Sequence, residues 1–389
     1  MTSPLLGRPQ PARAMLPRAA SAGVRLVARS SRGAPIKAVA GHATSAHFKP
    51  APTEWDTLGF GLDNVAGSMY TSTWTAESGW DAGKIVPYGP IQMMPSAQVL
   101  NYGQGIFEGM KALNSEKERL VVFRPDKNAE RFGNGAARLS MPPVSEKQFV
   151  DAVLRTVSEN KAWVPPIGKG ALYLRPTLIG TGPILGLGPA PSYTFSIFAA
   201  AVGAYFKGGQ LTPIDLIVEE HFHRAAPGGM GGTKAAGNYS PVLVTQLAAK
   251  KNGYSDVVYL DAKSDTYLEE VSSCNIFAVK GKTIRTPPLA GTILPGVTRR
   301  SIIELARIRG YTVEETPVSV HEAMEADELF TTGTAVVVCS VGSLTYKGTR
   351  KAYTEPGSPG PVALEMYTAL TNIQTEKEPD VAGWIVPVC

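Results

Sequence analysis

The stretch Arg224-Ala-Ala-Pro-Gly-Gly-Met-Gly-Gly-Thr-Lys-Ala-Ala-Gly-Asn-Tyr-Ser-Pro241 decides how the rest of the chain is read. After Arg224 its only charged residue is Lys234, set among glycines and alanines. A lysine with small neighbours and no carboxylate close in sequence is a candidate for partial desolvation. That lowers its pKa and frees the amine as a nucleophile. Glycines let backbone close around a bulky bound group, and Tyr239 offers a phenol nearby. Most lysines are solvated surface charges, so the reading needs support from elsewhere in the chain.

Composition sets the frame. A chain of 389 residues, 43% hydrophobic and 18% charged, is globular and long enough for two domains. Its longest apolar run, residues 193–206, falls short of the ~20 residues that span a bilayer and reads as a buried strand. No membrane partner is expected. Residues 1–53 contain six arginines, two lysines and no acid, the first carboxylate being Glu54. The net charge of +5 therefore belongs to this leader, and the remainder is slightly acidic, which removes the case for nucleic acid. An acid-free, Arg-, Ala- and Ser-rich N-terminus reads as an organellar transit peptide. Residues 36–41 favour the chloroplast over the mitochondrion. Cys274, Cys339 and Cys389 are too scattered for a disulfide framework or a zinc site. His221 and His223 lack a third ligand, so no metal is expected.

The expected organisation is a structureless transit peptide over 1–50 and a small α/β domain over 51–206. A linker over 207–212 leads to a larger domain over 213–389. In the first domain strands are predicted at 120–123, 171–175 and 193–202, with a helix over 145–160 capped by Ser145. Residues 179–191 form a long Gly- and Pro-rich loop, usually a functional feature. In the second, strands at 214–218, 257–260, 275–279, 312–316 and 336–341 alternate with helices at 240–251, 297–309 and 361–374.

One covalent role suits Lys234 in this setting: a Schiff base to pyridoxal phosphate. That cofactor needs an acid at its ring nitrogen, a phosphate cup, a phenol partner and a substrate pocket. Glu269 and Glu270 compete for the acid. They enter an apolar strand, so they face opposite ways. Two places could supply free N–H groups for phosphate, the helix opening Leu294-Pro-Gly-Val-Thr-Arg299 and the turn Thr332-Gly-Thr-Ala335.

Several ordered motifs carry a resemblance. They are Asn101-Tyr-Gly-Gln-Gly-Ile-Phe-Glu-Gly-Met-Lys-Ala112; Phe123-Arg-Pro with Asn128 and Arg131; Leu172-Tyr-Leu-Arg-Pro176; Val202-Gly-Ala-Tyr-Phe206; Gly231 to Tyr239; Glu270-Val with Asn275; and Pro287 to Arg299. From about Trp55 to Pro387 the chain resembles the branched-chain amino acid aminotransferases. The resemblance implies a mixed α/β, two-domain fold type IV enzyme with pyridoxal phosphate at the domain interface, working as a homodimer. It implies reversible amino transfer between leucine, isoleucine or valine and 2-oxoglutarate. It places the cofactor on Lys234, Glu270 at the ring nitrogen and Tyr239 at the phenolic oxygen. The phosphate falls to Arg131, the N–H groups of Val297 and Thr298, and Thr334. Ser273 and the Ala335 N–H come near the substrate carboxylate. Phe60, Tyr102, Phe107, Tyr173 and Tyr205 line the side-chain pocket, with Leu187 reaching in from the partner subunit. Arg175 is the candidate anchor for the side carboxylate of 2-oxoglutarate, with structural pairing as its alternative.

Where some relatives have a Cys-x-x-Cys pair, this chain has Val336 and Cys339, so a redox switch is not expected there. Ser272, Ser273 and Cys274 also depart from the family pattern. Rival readings are a D-amino acid aminotransferase or aminodeoxychorismate lyase of the same fold, a nucleotide-binding loop, and a non-catalytic protein. The nucleotide loop is disfavoured because Thr233 and Ala235 flank Lys234, where a P-loop has Gly and Ser or Thr.

Overall fold

A computed structural model describes residues 51–206 and 210–388. The leader and the first half of the expected linker, residues 207–209, lie outside them.

In chain order the first half forms β1 (Ser68–Thr75), β2 (Gly79–Trp80), β3 (Lys84–Pro87), α1 (Gln98–Tyr102), β4 (Gly105–Phe107), β5 (Met110–Asn114), β6 (Leu120–Phe123), α2 (Pro125–Arg138), α3 (Glu146–Glu159), β7 (Gly170–Gly180) and β8 (Ser192–Gly203). The second half continues with β9 (Ile214–Val218), α4 (Val242–Lys251), β10 (Asp256–Leu260), β11 (Leu268–Val271), β12 (Asn275–Lys280), β13 (Thr283–Thr286), α5 (Val297–Ile308), β14 (Thr312–Glu315), α6 (Val320–Glu325), β15 (Glu328–Gly333), β16 (Val337–Tyr346), β17 (Thr349–Ala352), α7 (Pro361–Gln374) and β18 (Ile385–Pro387). The result is the mixed α/β architecture expected from the sequence.

Strand periodicity builds the first sheet, ordered β18-β6-β5-β7-β8-β1-β2, with β3 on β1 and β4 on β7. Along β7, Leu172, Leu174 and Leu178 are fully buried while Tyr173, Arg175 and Thr177 face the other way. The buried face is covered by α2 and α3. Ser145 caps α3 by accepting the Gln148 N–H at 3.1 Å. Phe149, Val153 and Val157, at helical spacing, then turn toward Phe132 and Phe195. Phe149 stacks on Phe195 with ring centroids 5.8 Å apart. The opposite face, with Tyr173 and Arg175, is left for the second half of the chain.

The second sheet runs β11-β10-β9-β16-β15-β12-β13-β14. Glu270 on β11 also pairs with Asn275 on β12, which closes six of these strands into a ring. Helices α5 and α7 cover it through Ile302, Ile303, Met366 and Leu370. The last strand crosses back: β18 pairs antiparallel with β6, Ile385 opposite Phe123.

Candidate active site

Lys234 sits on extended backbone laid against β4. Its carbonyl accepts the Phe107 N–H at 3.1 Å, and Ala235 bridges to Ile106. The glycines before it are there for close approach: a Cβ on Gly231 would fall 2.0 Å from the Thr292 carbonyl oxygen. Lys234 Nζ donates to the Tyr239 hydroxyl at 3.1 Å and lies 4.7 Å from the Phe107 ring centroid. Burial, followed by the positive charge of Arg131, brings the ammonium down to about 8. Tyr239 packs edge-on against Phe107 at 4.9 Å, and burial pushes its phenol up to about 12.

Both glutamates of the sequence pair are buried, and only Glu270 is held in a polar net. Its Oε1 accepts from Arg224 Nη1 at 2.5 Å and from the Leu294 N–H at 3.1 Å. Its Oε2 accepts from Asn275 Nδ2 at 3.1 Å. Burial raises the carboxyl to about 7, against the pull of Arg224. Glu269 has a buried Oε2 with no hydrogen-bond partner.

Arg131, on α2, is gripped from one side. Nε and Nη2 each donate to a Glu108 oxygen at 2.7 Å, and Nη1 donates to the Pro295 carbonyl at 3.0 Å. Asn128 adds a 2.7 Å bond to Glu108. This stands Arg131 beside the start of α5, where Gly296 is the N-cap and no side chain caps the helix. The first N–H groups, those of Val297 and Thr298 among them, are thus open to an anion.

A cavity of about 560 Å³ opens between the two sheets. Lys234 and Tyr239 reach it from one side, Phe60, Tyr173, Arg175 and Tyr205 from another, and Ser273, Thr334 and Ala335 form its rim. Phe60 packs edge-on to both Tyr173 (5.5 Å) and Tyr205 (6.0 Å). The Arg175 guanidinium lies over Phe107 and Tyr173, at 4.9 and 5.5 Å, with its buried Nε unpartnered. Thr334 Oγ1 donates to the Gly109 carbonyl at 3.2 Å. Two expected pocket residues do not line this cavity within the chain. Tyr102 and Leu187 are 42% and 86% exposed, and the Tyr102 hydroxyl donates to the Leu185 carbonyl instead.

Residues 105–344 match the family Amino-transferase class IV. The chain belongs to that family. Among class IV aminotransferases it is 54% identical to branched-chain-amino-acid aminotransferase 3, chloroplastic, of Arabidopsis thaliana, over 86% of this chain and 81% of that one. It is 50% identical to branched-chain amino acid aminotransferase 1, mitochondrial, of Humulus lupulus, over 87% and 86%. The branched-chain aminotransferase of the archaeon Thermoproteus uzoniensis, solved with norvaline, superposes with a TM-score of 0.70 at 27% identity, covering 83% of this chain and 100% of that one.

Class IV aminotransferases use pyridoxal phosphate, and the residues present fit it. There is a desolvated amine, a phenol beside it, an uncapped helix start next to an arginine, and a buried carboxylate with one oxygen, Oε2, carrying a single hydrogen bond. Glu108, which clamps Arg131, is a candidate site residue that sequence reasoning missed. The only signal was that Glu108 is the one acid in the motif from Asn101 to Ala112.

Proposed function

We propose that this chain is a branched-chain amino acid aminotransferase, exchanging amino groups between L-leucine, L-isoleucine or L-valine and 2-oxoglutarate, with Lys234 as the working amine. The observation that carries this reading is Lys234 itself: a partly buried amine drawn down to about 8, 3.1 Å from the Tyr239 hydroxyl, in a cavity walled by aromatic rings.

Pyridoxal phosphate, when bound, supplies an aldehyde carbon for an amine and an electron-withdrawing ring. Lys234 would hold the aldehyde carbon, Tyr239 the phenolic oxygen and Glu270 the ring nitrogen. Arg131, the Val297 and Thr298 N–H groups and Thr334 would hold the phosphate. With the cofactor bound, the Lys234 amine would take the proton from the substrate Cα and hold it for its return in the reverse half-reaction. The second substrate reverses the sequence, a ping-pong cycle. Ser273 and the Ala335 N–H receive the substrate carboxylate. The rings of Phe60, Phe107, Tyr173 and Tyr205 select by apolar area, at ~0.8 kcal/mol per methylene, so one pocket serves all three side chains. Arg175 anchors the distal carboxylate of 2-oxoglutarate.

A homodimer completes the site on this reading. Leu62, Met94, Leu100, Tyr102, Leu185 and Leu187 are all exposed apolar groups of the first half, and Tyr102 and Leu187 are the residues that a partner subunit would receive. The relatives' chloroplastic and mitochondrial names and the basic leader support an organellar enzyme. We assign it to the chloroplast on residues 36–41.

The test is an absorbance scan of the purified protein with borohydride trapping. Lys234→Ala should abolish both the visible cofactor band and the trapped adduct. A surviving adduct overturns the assignment of the lysine. Faster turnover of D-alanine than of L-leucine overturns the substrate.

A further inference from the structure

Lys111 is a cation on the cavity side of the first sheet that forms no ion pair among the described residues. Its neighbours on β5, Met110 and Ala112, enter the core, so the lysine projects from the other face, opposite Tyr173 on β7. There Nζ donates to the Ala335 carbonyl at 2.7 Å. Ala335 lies in the turn 334–336 between β15 and β16, closed by the pairing of Gly333 with Val337. Val337 has φ of +61°, a left-handed conformation that a β-branched residue rarely adopts, so this turn is held against its own backbone preference.

The turn is also a wall. Lys111 lines a second cavity of about 200 Å³, and Ala335, Val336 and Tyr205 line both that cavity and the one containing Lys234. Burial pulls the Lys111 ammonium down to about 8, which still leaves it mostly charged at neutral pH. Even a half-buried charge without an acid beside it carries a desolvation cost, and a neutral donor would satisfy a carbonyl equally well. Such a cost is expected where the charge answers an anion that arrives later.

We propose that Lys111 is a positioning residue for the substrate carboxylate: it pins the 334–336 turn through the Ala335 carbonyl and gives that turn a positive charge that a bound carboxylate completes. The inference rests on the reading of the Ala335 N–H as the carboxylate's receptor. It assigns Lys111 no contact with substrate and no part in proton transfer.

The test compares wild-type holoenzyme with Lys111→Met, Lys111→Gln and Lys111→Arg. The probes are 4-methylpentanoate, which has leucine's shape and carboxylate without its amine, and the neutral 4-methylpentanamide. Affinities are read from the cofactor's absorbance and stability from the melting temperature. In the Met and Gln variants the dissociation constant for the carboxylate should rise about tenfold, the order of one charge interaction in a partly screened site. In Gln, which keeps a neutral donor for the Ala335 carbonyl, that for the amide and the melting temperature should stay level; Met, which loses the donor, should weaken the carboxylate more than the amide, and Arg should restore most of the lost affinity. Unchanged carboxylate binding in Met and Gln overturns the proposal. So does an equal loss for acid and amide together with a lower melting temperature, the mark of a structural strut. If wild-type protein itself neither binds the carboxylate nor transaminates leucine, the reading of the whole site fails; wild-type success with indifferent variants removes only the role of Lys111.

Discussion

Arg224 Nη1 lies 2.5 Å from Glu270 Oε1, and both side chains are almost fully buried. The pair keeps a carboxylate ionisable where burial alone would protonate it, since Arg224 opposes the burial that raises Glu270 to about 7. Arg224→Gln should let the carboxyl climb further, so that it is neutral at working pH and no longer holds a ring cation. Turnover should fall at least about tenfold, the scale of a charged hydrogen bond. Glu270→Gln should do at least as much, whereas Glu269→Gln should leave turnover within about threefold. Steady-state kinetics on the three variants checks this, and an equal effect of the two glutamates would refute it.

The depressed ammonium of Lys234 predicts the pH dependence of cofactor capture by the apoprotein. The capturing species is the free amine. Its fraction rises about tenfold per pH unit up to about 8 and then levels, where an ordinary lysine would keep rising toward about 10.4. Stopped-flow absorbance after mixing apoprotein with pyridoxal phosphate reads the curve directly. A rate still climbing steeply above pH 9 would contradict it.

Glu108 is fully buried, and although burial works to raise it, the charge and hydrogen bonds of Arg131 bring it below the usual carboxylate range. Glu108→Gln would leave the Arg131 guanidinium buried without its counter-ion, a loss of about 3–5 kcal/mol in stability for a pair of this kind. It would also free the arginine from its place beside α5. We therefore expect a lower melting temperature and weaker cofactor retention, measured by dialysis and re-titration with pyridoxal phosphate. The melting temperature should recover less than fully on cofactor addition.

Arg175 separates the two substrates. Its unpartnered Nε and its position over Phe107 and Tyr173 make it available to a distal carboxylate. Arg175→Met should raise KM for 2-oxoglutarate about tenfold or more, while the half-reaction with leucine, whose side chain is uncharged, changes by less than about threefold. Parallel losses in both half-reactions would return Arg175 to a packing role.

Much of this was legible in the sequence, and the parts that were not have identifiable causes. Strands β6, β9, β10 and β12 and helices α3, α5 and α7 lie within a residue or two of expectation, because each carries its own period and punctuation. Helix α2 gave no such signal. Gly133 and Gly135 each weaken a helix by roughly 1 kcal/mol against alanine. Gly135 is there for the approach to β4, since a Cβ on it would already touch Ile106 at 3.4 Å. Strands β4 (Gly-Ile-Phe) and β5 (Met-Lys-Ala-Leu-Asn) carry no run of β-branched or aromatic residues longer than Ile106-Phe107 and are parted only by Glu108-Gly109, so neither stands out as a strand. β7 also runs on to Gly180, which shortens the loop expected from residue 179. Lys234 and Tyr239 stood out because their chemistry is local, whereas Glu270 was separated from Glu269 only by the resemblance. The Glu108–Arg131 clamp spans 23 residues and two elements, and Lys111 meets Ala335 across 224; neither partnership exists until the chain is folded.

The return of β18 to β6 sets an order on synthesis. Trp384, just before that strand, seats against Phe123 at 5.7 Å and beneath the Arg124 guanidinium at 4.9 Å. A nascent chain leaving the ribosome from its amino end can assemble most of its first sheet early, but β6 gains its outer neighbour only after residues 124–384 have been made. A chain cut before Ile385 would keep every residue around Lys234 and still carry β6 as an open, adhesive margin.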